Sequence, residues 1–343
     1  MIRRRRVTAV GAAVGATLGL LAALGLAACS EKASTAGGTP KELTFSILSA
    51  ENQSSMAPLW QPLLDDMSAQ IGVKVKPYFA TNYTSLVEAM RFKQVQLGWF
   101  SADPALEAVK RANAEVLGRV VDAGGEASYE SVLIAKKGSG ITVDKVLACG
   151  KRYAFGIGDA KSTSGTLAPM TYLFDPKGIE PTNCFKVVRS ASHQANFLSV
   201  ATGVLDVATN NTVGLLFYKR QNPAMFDKIE VIWKSPPLPE SSIIVRKDMD
   251  PALKEKIRQF FLTYGVGAGP QADKQRKVLA GLAYGGFRPA DDTYLDPVRE
   301  MEAAQTLAEA KRGHDKAKID AAQKAFDQLR AANAQKRAAQ PDV

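Results

Sequence analysis

The sequence predicts an α/β protein of two lobes, each a parallel sheet flanked by helices. Short strand-like runs alternate with amphipathic stretches through most of the chain, which is the pattern of parallel sheets with crossover helices. The 343 residues hold enough material for two domains with buried cores. The order of elements also takes the chain from one lobe to the other twice, near Tyr129–Lys136 and near Trp233–Arg246. Residues 43–131 and 240–296 then form lobe 1 and residues 132–239 lobe 2, with a ligand cleft at the hinge between them.

The elements follow in order. Leu43–Ser49 (LTFSILS) reads as a strand, and Met56–Gly72 as an amphipathic helix stopped by its glycine. Val73–Ala80 is the next strand, Tyr83–Gln94 a helix, and the segment ending in Gly98-Trp99-Phe100 a strand. A helix over Pro104–Ala114 leads to strands at Gly118–Gly124 and Tyr129–Ser139. The second set runs strand Arg152–Gly158, helix Thr166–Asp175, strand Phe185–Ser190, helix His193–Gly203 and strand Asp206–Asn211. Strands at Ile229–Ser235 and Ser241–Lys247 complete the alternation. Beyond Pro297 the composition shifts to Ala, Lys, Gln and Glu, with a break near Gly313, so residues 297–343 read as a helical hairpin that packs on the body, on a second copy, or stands in solvent.

The N-terminus belongs to export rather than to the fold. Residues 1–28 run from MIRRRR through an apolar stretch to Leu26-Ala27-Ala28, the pattern of a signal peptide, and Cys29 follows where a bacterial lipobox places the lipidated residue. Residues 29–42 are small and polar, as in a flexible tether. The expected product is an exported protein, periplasmic or at the cell surface, anchored by lipid at Cys29. Removing Arg3 to Arg6 with the signal lowers the formal charge from +10 to +6. No dense basic run remains, which suits an anionic ligand and argues against nucleic acid. Cys149 and Cys184 each precede a strand; they are either bridged or two separate buried thiols.

Candidate chemistry centres on Gly158–Pro169, GDAKSTSGTLAP. It lies between a strand and a helix, where unpaired N–H groups and the helix dipole attract anions. Ser162, Thr163 and Ser164 add hydroxyl donors, and Gly165 permits close backbone approach. The plainer reading is a capped turn. The order of Gly, Lys and Ser is not that of a Walker A loop, nor is GIGDAK a dinucleotide fingerprint. Ser192-His193-Gln194 and the segment Asp206–Thr212, with Asn211, repeat a polar junction at neighbouring strand ends, so all three open into one crevice. Nothing matches a nucleophile elbow, HExxH or zinc spacing, and His193 and His314 are the two histidines. A binding protein is expected rather than an enzyme, with no cofactor and no metal.

These residues resemble the periplasmic phosphonate-binding proteins of ABC importers. The likeness rests on KSTSG…P, SHQANFLSVATGVLDVATNNT and VIWKSPPLPESSIIVRKDM, together with GVKVKPYFATNYTSLVEAMRF and ALEAVKRANAEV, and runs from about Leu43 to the tail. It implies a type II periplasmic-binding fold that closes on its ligand and delivers it to permease subunits. It also implies that Ser162, Thr163, Ser164 and His193 hold the phosphonate oxygens, that Tyr83 lines the cleft, and that the C-terminal helices make a homodimer contact. Three positions depart from the aminoalkylphosphonate pattern: Val213 and Ser241 stand where carboxylates would meet an ammonium, and Phe100 stands where a tyrosine would. The expectation is an oxyanion pocket that has lost its preference for amines and takes an alkylphosphonate, phosphite or phosphate, unless Glu240 turns in as a substitute. A receptor for sulfate or a sulfonate, and a sensory lipoprotein, are the alternatives.

Overall fold

The computed structural model describes residues 40–126 and 128–339. The expected signal peptide and Cys29 lie outside the described residues, as does most of the linker.

The chain begins with β1 (Glu42–Ile47), α1 (Gln53–Ile71), β2 (Lys74–Phe79), α2 (Tyr83–Arg91), β3 (Leu97–Phe100), α3 (Ala102–Arg111) and β4 (Ala114–Asp122). A short strand, β5 (Ser128–Tyr129), leads into β6 (Ser131–Lys136), α4 (Val143–Leu147) and β7 (Ala154–Ile157). Wide helical turns over Thr163–Leu167 and Met170–Phe174 precede α5 (Pro181–Cys184), β8 (Val187–Ser190), α6 (His193–Thr202), β9 (Val207–Asn211), α7 (Thr212–Gln221), α8 (Pro223–Phe226) and β10 (Ile229–Lys234). The chain returns through β11 (Leu238–Pro239) to β12 (Ser242–Arg246), α9 (Pro251–Thr263), α10 (Pro270–Gly281) and β13 (Tyr284–Arg288), and ends in α11 (Asp296–Arg312) and α12 (Lys316–Ala339).

Two sheets form. One has the order β13-β4-β12-β3-β1-β2 and the other β10-β6-β9-β7-β8. Between them β5 and β11 pair antiparallel, Tyr129 opposite Leu238, so the two crossings run side by side. The sheets are mixed rather than parallel throughout. β1 is parallel to β2 and β3, and β7 to β8 and β9. In contrast, β12 is antiparallel to β3 and β4, β13 to β4, and β6 to β9 and β10. The crossings explain most of this. A strand fed by a crossover helix runs toward the cleft, whereas β6 and β12 enter from the other lobe and run away from it.

Each sheet is buried on both faces. Phe45, Trp60, Trp99 and Phe261 anchor one side of the six-stranded sheet; Leu86, Leu106 and Ile244 lie on the other, with Val298 and Met301 of α11. Phe155 stacks on Phe185 at 4.3 Å between ring centroids in the second core. Cys149 and Cys184, just ahead of the parallel strands β7 and β8, are joined as a disulfide with Cα atoms 4.5 Å apart. At the C-terminus α12 folds back on α11, where Asn333 Nδ2 donates to Asp296 O and to Glu300 Oε2, each at 3.0 Å. Among the described residues no helix is long and apolar enough to cross a membrane.

Candidate functional site

The strand ends of both sheets meet around a cavity of about 50 Å³. One water needs roughly 10–15 Å³ by this measure, so the space fits a small solute. Ser162, Ser164, His193 and Asn211 line it from one lobe, and Tyr83, Trp99 and Glu51 from the other.

The loop after β7 is built from its glycines. Gly158 and Gly165 lie back to back, with Gly158 N donating to Gly165 O at 2.9 Å. A Cβ on Gly158 would stand 2.5 Å from Gly165 Cα, and one on Gly165 would stand 2.8 Å from Gly158 Cα. Ser162 caps the wide turn that follows, its Oγ accepting from Gly165 N at 2.9 Å. Ser131 Oγ donates to Ser164 O at 2.6 Å and Thr209 Oγ1 to Gly165 O at 2.7 Å, tying the loop to β6 and β9. Wide turns of this kind recur at functional sites because they offset the helix register.

His193 opens α6 beside this loop. Its Nε2 lies 3.3 Å from Ser162 Oγ and 3.3 Å from Ser164 Oγ, while Asn210 Nδ2 holds its backbone oxygen at 2.9 Å. Burial pushes the imidazole pKa down to about 4, so the ring is neutral near pH 7. Its Nδ1 is buried and has no hydrogen-bond partner. The Tyr83 hydroxyl lies beside Ser162, and that of Tyr129 beside Ser164; burial raises both phenol pKa values, so each stays a neutral donor. Asn211 caps α7 by accepting from Gly214 N at 2.7 Å. The result is a buried set of neutral donors at two helix N-termini, suited to an oxyanion.

Two expected residues lie elsewhere. Thr163 is fully buried but not at the cavity: its Oγ1 accepts from Asp103 N at 2.8 Å, at the start of α3 in the opposite lobe. Phe100 is fully buried in the core beneath α3, and its neighbour Trp99 reaches the cavity instead. Adjacent strand residues point to opposite faces, so a shift of one position is enough to explain this. Val213 and Ser241 do line the cavity, without charge.

The structure adds Glu51, which the motifs did not mark, and brings in Glu240, which the sequence offered as a substitute carboxylate. Glu51, just past the end of β1, lines the cavity; Tyr218 OH donates to its Oε1, and its Oε2 is buried without a partner. Desolvation raises its pKa to about 8. Glu240, beside the neutral Ser241, lines the same cavity. Its Oε1 accepts from Ser241 N at 2.8 Å and Ser241 Oγ at 3.0 Å, its Oε2 has no partner, and burial raises its pKa. The general rule that ligands meet the carboxyl ends of strands would have flagged Glu51, which lies in the turn between β1 and α1.

The two lobes touch through the same loop. Tyr83 N donates to Asp159 Oδ2 at 3.2 Å, and Lys161 Nζ stands 3.9 Å from Asp103 and 3.8 Å from Glu107. At the mouth, Asn52 Nδ2 donates to Gln194 Oε1 at 2.6 Å.

Residues 45–295 match the family model described as the periplasmic substrate-binding protein of phosphonate ABC transporters. The phosphonates-binding periplasmic protein of Escherichia coli is 40% identical over 262 residues, 76% of each chain. A phosphate-import protein of Mycolicibacterium smegmatis is 26% identical over 265 residues, covering 72% of this chain and 80% of its own. The crystal structure of a binding component of an ABC phosphonate transporter from Pseudomonas aeruginosa superposes with a TM-score of 0.82 at 35% identity, covering 86% of this chain and 99% of that one.

Proposed function

This chain belongs to the family of periplasmic phosphonate-binding proteins of ABC transporters, and from that premise we propose that it captures a phosphonate whose far end carries a protonated amine. It is a binding protein, not an enzyme, and hands its solute to a permease. The oxyanion sits against Ser162, Ser164, His193 and Tyr83, and the ammonium turns toward Glu51 and Glu240. Mature protein is exported and held to the membrane by lipid at Cys29, and the C-terminal hairpin is the surface for a homodimer.

The observation that carries this reading is the pair of cavity carboxyls, each with a buried, unpartnered Oε2. A buried polar atom without a partner is costly, and an ammonium offers three donors. These two groups make up for the charge that Val213 and Ser241 lack. A second reading keeps the preference expected from the sequence. Burial raises the pKa of both carboxyls; left protonated, they favour an uncharged tail or none, as in methylphosphonate, phosphite or phosphate.

Thermal unfolding of the mature protein with 2-aminoethylphosphonate, methylphosphonate, phosphite, phosphate and sulfate separates the two. A ligand at a thousand times its dissociation constant stabilises by about 4 kcal/mol. The largest shift with the amine compound supports the first reading, and a larger shift with methylphosphonate or phosphite selects the second. Dominance of sulfate would overturn both.

A further inference from the structure

We propose that helix α11 is a strap across the hinge that positions the oxyanion loop, with the Arg312–Asp175 pair fastening its far end. The role goes beyond ligand capture, although it rests on the receptor closing around its ligand. At about 1.5 Å per residue, the 17 residues of α11 span roughly 25 Å. The helix starts in the first lobe, directly after β13 and a short turn, and there Glu302 pairs with Lys110 of α3. Its Val298 and Met301 share one apolar cluster with Leu106 of that lobe and with Leu167 and Ala168 of the other. Leu167 and Ala168 follow Ser162 and Ser164 within the same helical turns, so α11 grips the segment that carries the oxyanion hydroxyls.

The far end is held by charge. Arg312 Nη1 donates to Asp175 Oδ1 at 2.8 Å, and its Nε lies 3.7 Å from Glu180 Oε2. The Asp175 side chain is 6% exposed and that of Arg312 31%. Near its far end α11 borders a groove of about 700 Å³, with Ala304 and Ala308 facing Thr171 and Pro176 and the Arg312–Asp175 pair on its wall. Leu307 is buried at this end, and beyond it the ion pair is the charged fastening that ties Arg312 to the other lobe. Parting the lobes requires Arg312 to leave Asp175 or α11 to slide off α3. The strap thereby biases the protein toward closure and sets where Ser162 and Ser164 sit relative to Tyr83.

The test uses the full mature chain and two measurements, the radius of gyration without ligand and the dissociation constant for 2-aminoethylphosphonate and methylphosphonate. Arg312→Ala and Asp175→Asn should each enlarge the ligand-free particle and weaken every ligand by a common factor, about two- to fivefold for a partly exposed pair. The reversed pair, Arg312→Asp with Asp175→Arg, should restore both readings, which a purely structural loss would not. Unchanged radius and affinity in Asp175→Asn, or no recovery in the reversed pair, would overturn the strap. If neither phosphonate binds the wild-type protein, the radius still decides the strap, and the ligand assignment alone falls.

Discussion

Ser162 and Ser164 share a single ring nitrogen: each hydroxyl oxygen lies 3.3 Å from His193 Nε2. One buried imidazole thus fixes the separation of two hydroxyls that come from alternate positions of one loop. Charge-assisted hydrogen bonds contribute about 1.5–3 kcal/mol each. Ser164→Ala and His193→Ala should each weaken phosphonate binding by roughly ten- to a hundredfold, measured by calorimetry. Ser162→Ala should cost more, because its oxygen also caps Gly165 N. Retention of wild-type affinity in all three would remove the oxyanion site from this loop.

The acidic side of the cavity makes a separate prediction. Glu51→Gln keeps the shape and the acceptor for Tyr218 but removes the group that can ionise against an ammonium. It should lower affinity for 2-aminoethylphosphonate by about tenfold or more and leave methylphosphonate within about twofold. Equal losses for the two ligands would show that Glu51 shapes the pocket without reading the amine.

The same carboxyl sets a pH dependence with a definite sign. Its folded pKa, about 8, lies above the ordinary 4.5, so the folded state holds the extra proton between those values. Stability of the ligand-free protein therefore falls as pH rises from about 4.5 to 8. His193 acts in the opposite sense: its pKa drops from 6.5 to about 4, so stability is lost as pH falls through that window. Denaturant titrations of Glu51→Gln should show this decline between about pH 4.5 and 8 flattened. An unchanged slope would mean that Glu51 is ionised in the folded protein.

Thr163 shows where the sequence stopped being legible. The run Ser162-Thr163-Ser164 marks the loop, its strand and its helix, and all three residues are buried there. Which hydroxyl faces the cavity depends on the wide turn, because i→i+5 bonding, as in Leu167 N to Ser162 O at 3.0 Å, rotates side chains away from an ordinary helical register. Phe100 and Trp99 pose the same problem in a strand, where period two makes a one-residue error complete. Glu51 has no motif at all, and only its place after β1 gives it away. By contrast, α9 carried readable signals. Asp250 caps it, Pro251 opens it, and Leu253, Ile257, Phe260 and Phe261 make one buried face, although no element is expected above between Lys247 and Pro297. The antiparallel strands follow from the two crossings, which composition does not encode.

Because Thr163 Oγ1 accepts from Asp103 N of the opposite lobe, Thr163→Val should act on closure. It leaves a buried N–H unpaired, at about 1–3 kcal/mol, only when the lobes are together. All ligands should weaken by the same factor, with a larger ligand-free radius in solution scattering. A loss confined to one class of oxyanion would return Thr163 to the ligand.

Gly165 gives the most local test of the loop. A methyl group there would stand 2.7 Å from Ser162 Oγ and 2.8 Å from Gly158 Cα. The second contact is backbone and cannot rotate away, so β7 and the wide turn must separate. Overpacking of this kind costs about 1–3 kcal/mol, and the strain falls on the hydrogen bond that orients the Ser162 hydroxyl. Gly165→Ala should therefore lower both the midpoint of thermal unfolding and the affinity for every phosphonate. Gly281→Ala is the control, since its nearest neighbour would be Leu59 Cδ2 at 3.9 Å; as a helical position it should hold or raise the midpoint and leave affinity unchanged. If Gly165→Ala binds as tightly as the wild type, the loop tolerates the added carbon, and the close approach of Gly158 to Gly165 is not what sets the positions of the oxyanion hydroxyls.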